Sequence, residues 1–208
     1  MMRAIYLLMV LVGGAWTLPG AYAAPDLARE LKDAQAALAA GNYAEAYPQY
    51  LYFAEEKNNP LAQFTVGMFH QLGWGRPVDR AAACAWHARA AQGSIPAAAH
   101  FLAECYEQGI GRPADPAQAA VWYEHAAGLG HFMSLCALAE LYMTGRGVPK
   151  DPQKGLALCR RAAEQGAVPA RLQVGRYLLE GHESIRNPEA AYGWFEAAAT
   201  TPEAWPTD

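Results

Sequence analysis

Apolar residues along this chain fall three and four positions apart in short stretches, the spacing of one buried helix face. Nothing alternates with the period of two that a half-buried strand requires. Polar and glycine-rich breaks separate the stretches, and the breaks are in register. Asp79, Asp115, Asp151 and Asn187 stand 36 residues apart. Gly73, Gly109, Gly145 and Gly181 form a second column at the same interval. Trp86, Trp122, Leu158 and Trp194 form a third. The pairs Ala90-Ala91, Ala126-Ala127, Ala162-Ala163 and Ala198-Ala199 form a fourth. Self-similarity with a period between roughly 20 and 50 residues marks a solenoid of stacked supersecondary units. The expected fold class is all-α, an α-solenoid of helical hairpins.

Each copy carries its own start and stop signals. Asp115-Pro116, Asp151-Pro152 and Asn187-Pro188 set a capping side chain before a proline at the first helical position. Asp79-Arg80 keeps the cap without the proline. The glycine column stands where the preceding helix must end and predicts a left-handed cap in every copy. The small alanine pairs predict close helix crossings. Four hairpins follow: 60–72 with 79–92, 96–108 with 115–127, 132–144 with 151–164, and 168–180 with 187–200. Upstream, Asp26 to Ala40 and Tyr43 to Glu56 have helical spacing on either side of Gly41-Asn42. They read as a degenerate first hairpin, because Tyr50 and Ala54 lie one period before Trp86 and Ala90. The predicted organisation is a leader at 1–23, an N-terminal hairpin at 24–58, four repeats over 59–201 and a tail at 202–208. The tail, TPEAWPTD, is expected to be irregular, with Trp205 folding back over the exposed last repeat.

These columns resemble the Sel1-like repeat family, a relative of the tetratricopeptide repeats. The family pattern of L-G-x-x-Y, a G-x-G-V loop, Asp, Lys-Ala and a closing Ala-Ala-x-x-Gly is matched by Leu138-Ala139, Tyr142, Gly145, Gly147-Val148, Asp151, Lys154, Ala162-Ala163 and Gly166. The resemblance covers about Leu61 to Ala199. His70 and Leu178 depart from the Tyr column, Leu158 from the Trp column, and Gly181-His182-Glu183 lacks the second loop glycine, as a capping repeat would. The resemblance implies a right-handed superhelical array whose first helices line a concave side. It also implies binding to another protein, as an adaptor or scaffold. Some exported members resemble immunity proteins that neutralise a secreted toxin such as a phospholipase. Cysteine-rich relatives are associated with weak β-lactam binding and β-lactamase-like activity, which supplies an alternative function.

Arg3, the apolar run AIYLLMVLVGGAW and Ala21-Tyr22-Ala23 read as a secretory signal peptide. The competing reading is an N-terminal membrane anchor, but the run is short for a span and is followed by glycine and proline. The mature chain of 185 residues, after removal of 23 from 208, is expected to be periplasmic or secreted. No second apolar run has spanning length, so no membrane span is expected after cleavage. The formal charge is −4. A mildly acidic chain lacks the basic stripe that nucleic acid demands.

Cys84, Cys105, Cys136 and Cys159 allow three pairings. Cys84 and Cys105 are equally far from the turn at Ser94-Ile95, and Cys136 and Cys159 are symmetric about the Gly147-Val148 loop. Antiparallel neighbours then favour Cys84–Cys105 and Cys136–Cys159. Four buried, unpaired thiols remain the other reading. No C-x-x-C pair suggests zinc. Of the histidines, His70 takes a packing position, whereas His87 and His125 are expected on partly solvated helix faces. No G-x-S-x-G, S-x-x-K or phosphate-binding glycine loop occurs. The chain is expected to be neither an enzyme nor a holder of metal or cofactor.

The candidate partner-binding residues are those on the first helices that the repeat does not need for its own packing. One row is Met68, Glu104, Glu140 and Arg176; the other is Thr65, Phe101, Ala137 and Gln173. Stacking by one period aligns each row into a ridge on the concave surface. Phe101 and Trp74 are candidate aromatic anchors. In the competing reading Phe101 packs on its neighbouring helix and Trp74 covers its own turn. A third functional alternative is a cell-wall glycan stacked on Trp74, Phe101 and Trp205.

Overall fold

The computed structural model describes residues 31–200; the leader and the tail with Trp205 lie outside the described residues. Ten helices and no strand occur among those residues. They are α1 (Lys32–Ala39), α2 (Tyr43–Glu55), α3 (Pro60–Leu72), α4 (Arg80–Gln92), α5 (Pro96–Gln108), α6 (Pro116–Gly128), α7 (Met133–Thr144), α8 (Pro152–Glu164), α9 (Val168–Glu180) and α10 (Pro188–Ala199). Consecutive helices pair as antiparallel hairpins, and each hairpin packs next on the helix that follows. This is the expected solenoid.

The capping residues act as their chemistry predicts. The Oδ1 atoms of Asp79, Asp115, Asp151 and Asn187 accept backbone N–H groups in the first turns of α4, α6, α8 and α10 at 2.9–3.1 Å. Each capping residue has a second bond that no local rule foretells. Its own N–H donates to a carbonyl nine residues earlier: Asp79 to His70 at 2.9 Å, Asp115 to Tyr106 and Asp151 to Tyr142 at 2.8 Å, Asn187 to Leu178 at 2.7 Å. That bond closes the loop of every hairpin in the same way.

Gly73, Gly109 and Gly145 end α3, α5 and α7 with φ of 70°, 70° and 76°. Gly181 departs from the expectation. Its φ is −72° with ψ −172°, an extended residue rather than a left-handed cap. The loop after it, lacking the second glycine, turns instead through His182–Arg186 and buries Ile185 beside α9.

The core runs the length of the stack as four adjoining apolar clusters. Leu31, Tyr50, Val66 and Phe69 dock the N-terminal hairpin on α3. Ala90, Ala98, Leu102 and Ala126 join the first two repeats. Tyr123, Leu138 and Leu141 join the second and third. Cys159, Ala162, Val174 and Leu178 join the third and fourth. The Ala90-Ala91 and Ala162-Ala163 pairs are almost fully buried, as close crossings require.

The favoured cysteine pairing is realised. Cys84–Cys105 joins α4 to α5 with Cα atoms 5.9 Å apart, so it ties one repeat to the next. Cys136–Cys159 joins α7 to α8 inside one hairpin, at 4.3 Å.

Candidate functional site

The first helices of the last two hairpins, α7 and α9, flank an open groove. Stacking by one period puts Ala137 beside Gln173 and Glu140 beside Arg176 along its walls, while Met133 and Tyr177 line it as well. Glu140 is exposed and accepts the Tyr177 hydroxyl at 2.8 Å. Burial and that bond to a carboxylate push the Tyr177 phenol well above its usual range, so Tyr177 stays a neutral donor that orients Glu140. Arg176 is exposed and donates to Gln173 Oε1 at 2.7 Å. Among the described residues neither Glu140 nor Arg176 forms an ion pair. The groove therefore presents one carboxylate and one guanidinium above an apolar lining.

His100 of α5 forms the groove's third wall. Its Nδ1 lies 2.9 Å from Ser134 Oγ, and His131 Nδ1 lies 2.8 Å from the same oxygen. Glu104 Oε1 is 3.6 Å from His100 Nε2. Glutamate, imidazole and serine thus stand in the order of a hydrolytic triad, an arrangement that sequence motifs did not disclose. Ser134 is fully buried, however, and both imidazoles occupy its oxygen. A nucleophile must reach its substrate, so here the serine ties the second repeat to the third.

Phe101 and Glu104 line a smaller hollow, separate from the groove, beside the Cys84–Cys105 bridge. Phe101 is half-buried, stacked on His87 at 5.0 Å and on Phe64 at 6.1 Å. It packs on its neighbours as a link between α3, α4 and α5 rather than standing free. Met68 is half-buried. Thr65 is withdrawn from the docking set: it is buried, and its hydroxyl donates to the Leu61 carbonyl at 3.0 Å. A β-branched residue one position from the apolar stripe turns inward when the next helix covers it. Trp74 lies over its own repeat's loop, stacked parallel on Tyr43 at 5.9 Å and edge-on to Phe69 at 5.5 Å. It anchors the N-terminal hairpin and stands apart from the groove.

His87 also corrects an expectation. It is buried, not on a partly solvated face. Gly67 makes the room: a Cβ there would lie 2.6–2.7 Å from the imidazole. The same relation holds between Gly175 and Phe195. The signal was legible as a further column at the 36-residue interval, in which Gly67, Ala103, Ala139 and Gly175 face His87, Tyr123, Cys159 and Phe195. His87 Nε2 bonds Gln71 Oε1 at 2.8 Å, while Nδ1 has no partner among the described residues. Burial lowers its pKa to about 4.

Among the described residues no three metal-ligating side chains come together, and no helix is long and apolar enough to cross a membrane. The Sel1 repeat model matches residues 60–94, 96–131, 133–166 and 168–200. The fold is similar to a Sel1 repeat protein from Oxalobacter formigenes, with TM-score 0.66 and 28% identity over 74% of this chain and 63% of that one. It is similar also to c5321, a protective antigen of uropathogenic Escherichia coli with an SLR fold: TM-score 0.63, 28% identity, 76% of this chain and 33% of that one. Immunity protein Pa5087 from Pseudomonas aeruginosa shares the fold at TM-score 0.55 and 22% identity, over 84% of this chain and 65% of that one. The chain thus spans from a third to just under two thirds of the length of these structures. None of the curated proteins searched matches the chain significantly.

Proposed function

Because the chain belongs to the Sel1 repeat family, we propose that it is an exported binding module that holds another protein against the first helices of its hairpins. The observation that carries this reading is the α7–α9 groove, where Glu140 and Arg176 stand exposed over an apolar lining with no counter-charge among the described residues. Exposed charges beside an apolar floor suit recognition, because a partner can supply the counter-charges that the described residues do not. Two disulfides fit an oxidising compartment, and the leader-like N-terminus supplies the route out of the cytoplasm. In this reading residues 24–58 cap the array of repeats at 59–201. The role is that of an adaptor, or of an immunity protein that covers a secreted toxin. Immunity protein Pa5087, named for that role, shares the fold.

The test is a pull-down from envelope extract with the full chain and with the Glu140→Lys, Arg176→Glu double variant. Both changes lie on exposed positions, so helicity by circular dichroism is expected to be unchanged. The wild type is expected to retain a defined protein that the variant loses by at least about tenfold, two charge contacts of this kind contributing on the order of 1–2 kcal/mol. Equal recovery by both chains rules the groove out as the docking face. Absence of any specific protein rules out the binding role.

A further inference from the structure

The repeat columns show why the groove opens at α7. Phe101 of α5 stacks on two rings of the preceding hairpin, Phe64 of α3 at 6.1 Å and His87 of α4 at 5.0 Å. One period on, the same three positions hold Ala137, His100 and Tyr123. Ala137 packs on the cluster that contains Tyr123, much as Phe101 packs on His87. It brings a methyl group where Phe101 brings a ring. The groove lies at this place: Ala137, Met133 and Cys136 line it from α7, and His100 borders it.

Two charges flank this socket, and both are held. Glu140 on the α7 side accepts the Tyr177 hydroxyl at 2.8 Å. Arg176 on the α9 side donates to Gln173 Oε1 at 2.7 Å, a bond within its own helix. Among the described residues neither is in an ion pair. The groove therefore presents an acid on one side and a base on the other, with an alanine-sized gap between them.

That arrangement selects for both size and charge. A large apolar side chain over Ala137 leaves water and meets the atoms that a ring in this column meets in the repeat before. A purely basic segment is opposed by Arg176, and a purely acidic one by Glu140. A segment with one charge of each sign, on either side of the apolar residue, meets both with the opposite sign.

We propose that the partner segment seated in the groove supplies the ring that Ala137 lacks: it inserts one aromatic side chain over Ala137, with a basic residue toward Glu140 and an acidic residue toward Arg176. The proposal rests on the reading of the groove as a protein-docking face and names the chemistry of what it takes. Ala137 sets the size of the side chain admitted.

The test uses the full chain and two blocked peptides, acetyl-Lys-Ala-Phe-Ala-Glu-amide and acetyl-Glu-Ala-Phe-Ala-Lys-amide, so that both directions of the segment are covered. Titration is followed by the carbon-13 methyl signals of Ala137 and Met133. One of the two peptides should shift both signals saturably. Replacing its Phe by Ala should weaken binding about tenfold or more, the effect of burying one large apolar side chain. Exchanging its Lys for Glu, or its Glu for Lys, should weaken binding as well. Glu140→Gln is expected to erase the difference made by the first exchange, and Arg176→Gln that made by the second. Ala137→Phe should fill the socket from within and weaken binding about tenfold, with helicity unchanged, because phenylalanine already stands in this column at 101.

Equal binding of the Phe and Ala peptides overturns the proposal with no change to the protein, so it is decided even if Ala137→Phe fails to fold. Unmoved methyl signals with both peptides overturn it too. Failure of the socket is separable from failure of docking. If the protein recovered in the pull-down is lost by Glu140→Lys, Arg176→Glu but kept by a folded Ala137→Phe, the groove docks a protein and the aromatic anchor is overturned.

Discussion

At the scale of single residues, His87 shows what a repeat position does when it receives an ionisable side chain. The equivalent positions hold Tyr123, Cys159 and Phe195, and His87 is packed as they are, against Gly67 and between Phe64 and Phe101. Its folded pKa of about 4 lies below the ordinary 6.5. Between those values the unfolded chain binds the proton and the folded chain does not, so stability is full above about pH 6.5 and falls as pH drops toward 4. The loss approaches about 3 kcal/mol across that window. Urea unfolding at pH 7 and pH 4.5 should show a smaller loss in His87→Phe than in wild type, and an equal loss would place the acid sensitivity elsewhere. Trp122 is half-buried rather than wholly enclosed, but it packs against two adjoining clusters. Trp122→Ala is expected to cost about 3 kcal/mol, the low end for a large core side chain. Trp194→Ala, which borders one cluster, should cost less. Thermal melts of the two variants compare them, and a larger loss at Trp194 would show that the last repeat is covered from outside.

At the scale of elements, the loops are the most repetitive part of the molecule and the least tolerant. In the first and third repeats the second loop glycine is driven onto the preceding hairpin. A Cβ on Gly75 would lie 2.8 Å from Tyr43 Cβ, and one on Gly147 would lie 2.3 Å from the Pro116 carbonyl carbon. Gly147 also has φ of 70°, where a side chain is strained. Gly147→Ala is therefore expected to cost at least about 2 kcal/mol from backbone strain and collision together. Gly128, at the end of α6, has open space around it and no left-handed torsion, so Gly128→Ala should be neutral or stabilise by up to about 1 kcal/mol. The two melting temperatures, taken under one condition, decide the matter. If both variants melt alike, the loop-to-helix contact is not tight in solution. The glycine columns were visible in the sequence; the collision partner was not, because Pro116 lies 31 positions before Gly147 and meets it only once hairpins stack.

At the scale of the whole molecule, a solenoid is held together by nearest-neighbour interfaces, and its cooperativity depends on how strongly they are coupled. The two disulfides act on different parts of that scheme. Cys84–Cys105 crosses an interface between repeats, whereas Cys136–Cys159 closes a hairpin. Their loops span 21 and 23 residues, so each contributes up to about 3 kcal/mol by restricting the unfolded chain. Mass spectrometry of protein from an oxidising compartment should find no free thiol. Reduction should lower the melting temperature, and Cys84→Ala with Cys105→Ala should broaden the transition more than Cys136→Ala with Cys159→Ala. Equal broadening would mean that the apolar clusters alone couple the repeats.

The sequence by itself determined the helices, their order, the capping residues and the repeat interval, because all of these are local: a cap, a proline and a glycine act within one turn of where they stand. It narrowed the cysteines to one favoured pairing, because antiparallel neighbours place residues equidistant from a turn at the same height. It also aligned Glu140 with Arg176 and Ala137 with Gln173, because a fixed period turns a column into a ridge. Tertiary structure decided the rest. Whether Thr65, His87 and Phe101 face outward depends on neighbouring helices: the rings stacked on Phe101 belong to His87 and Phe64, 14 and 37 positions away in the chain. The His100–Ser134–His131 cluster has no sequence signature, since its members come from two helices and the loop between hairpins, and only stacking brings them to one oxygen. Gly181 followed its neighbours rather than its column: without a second loop glycine the chain took another path and left it extended.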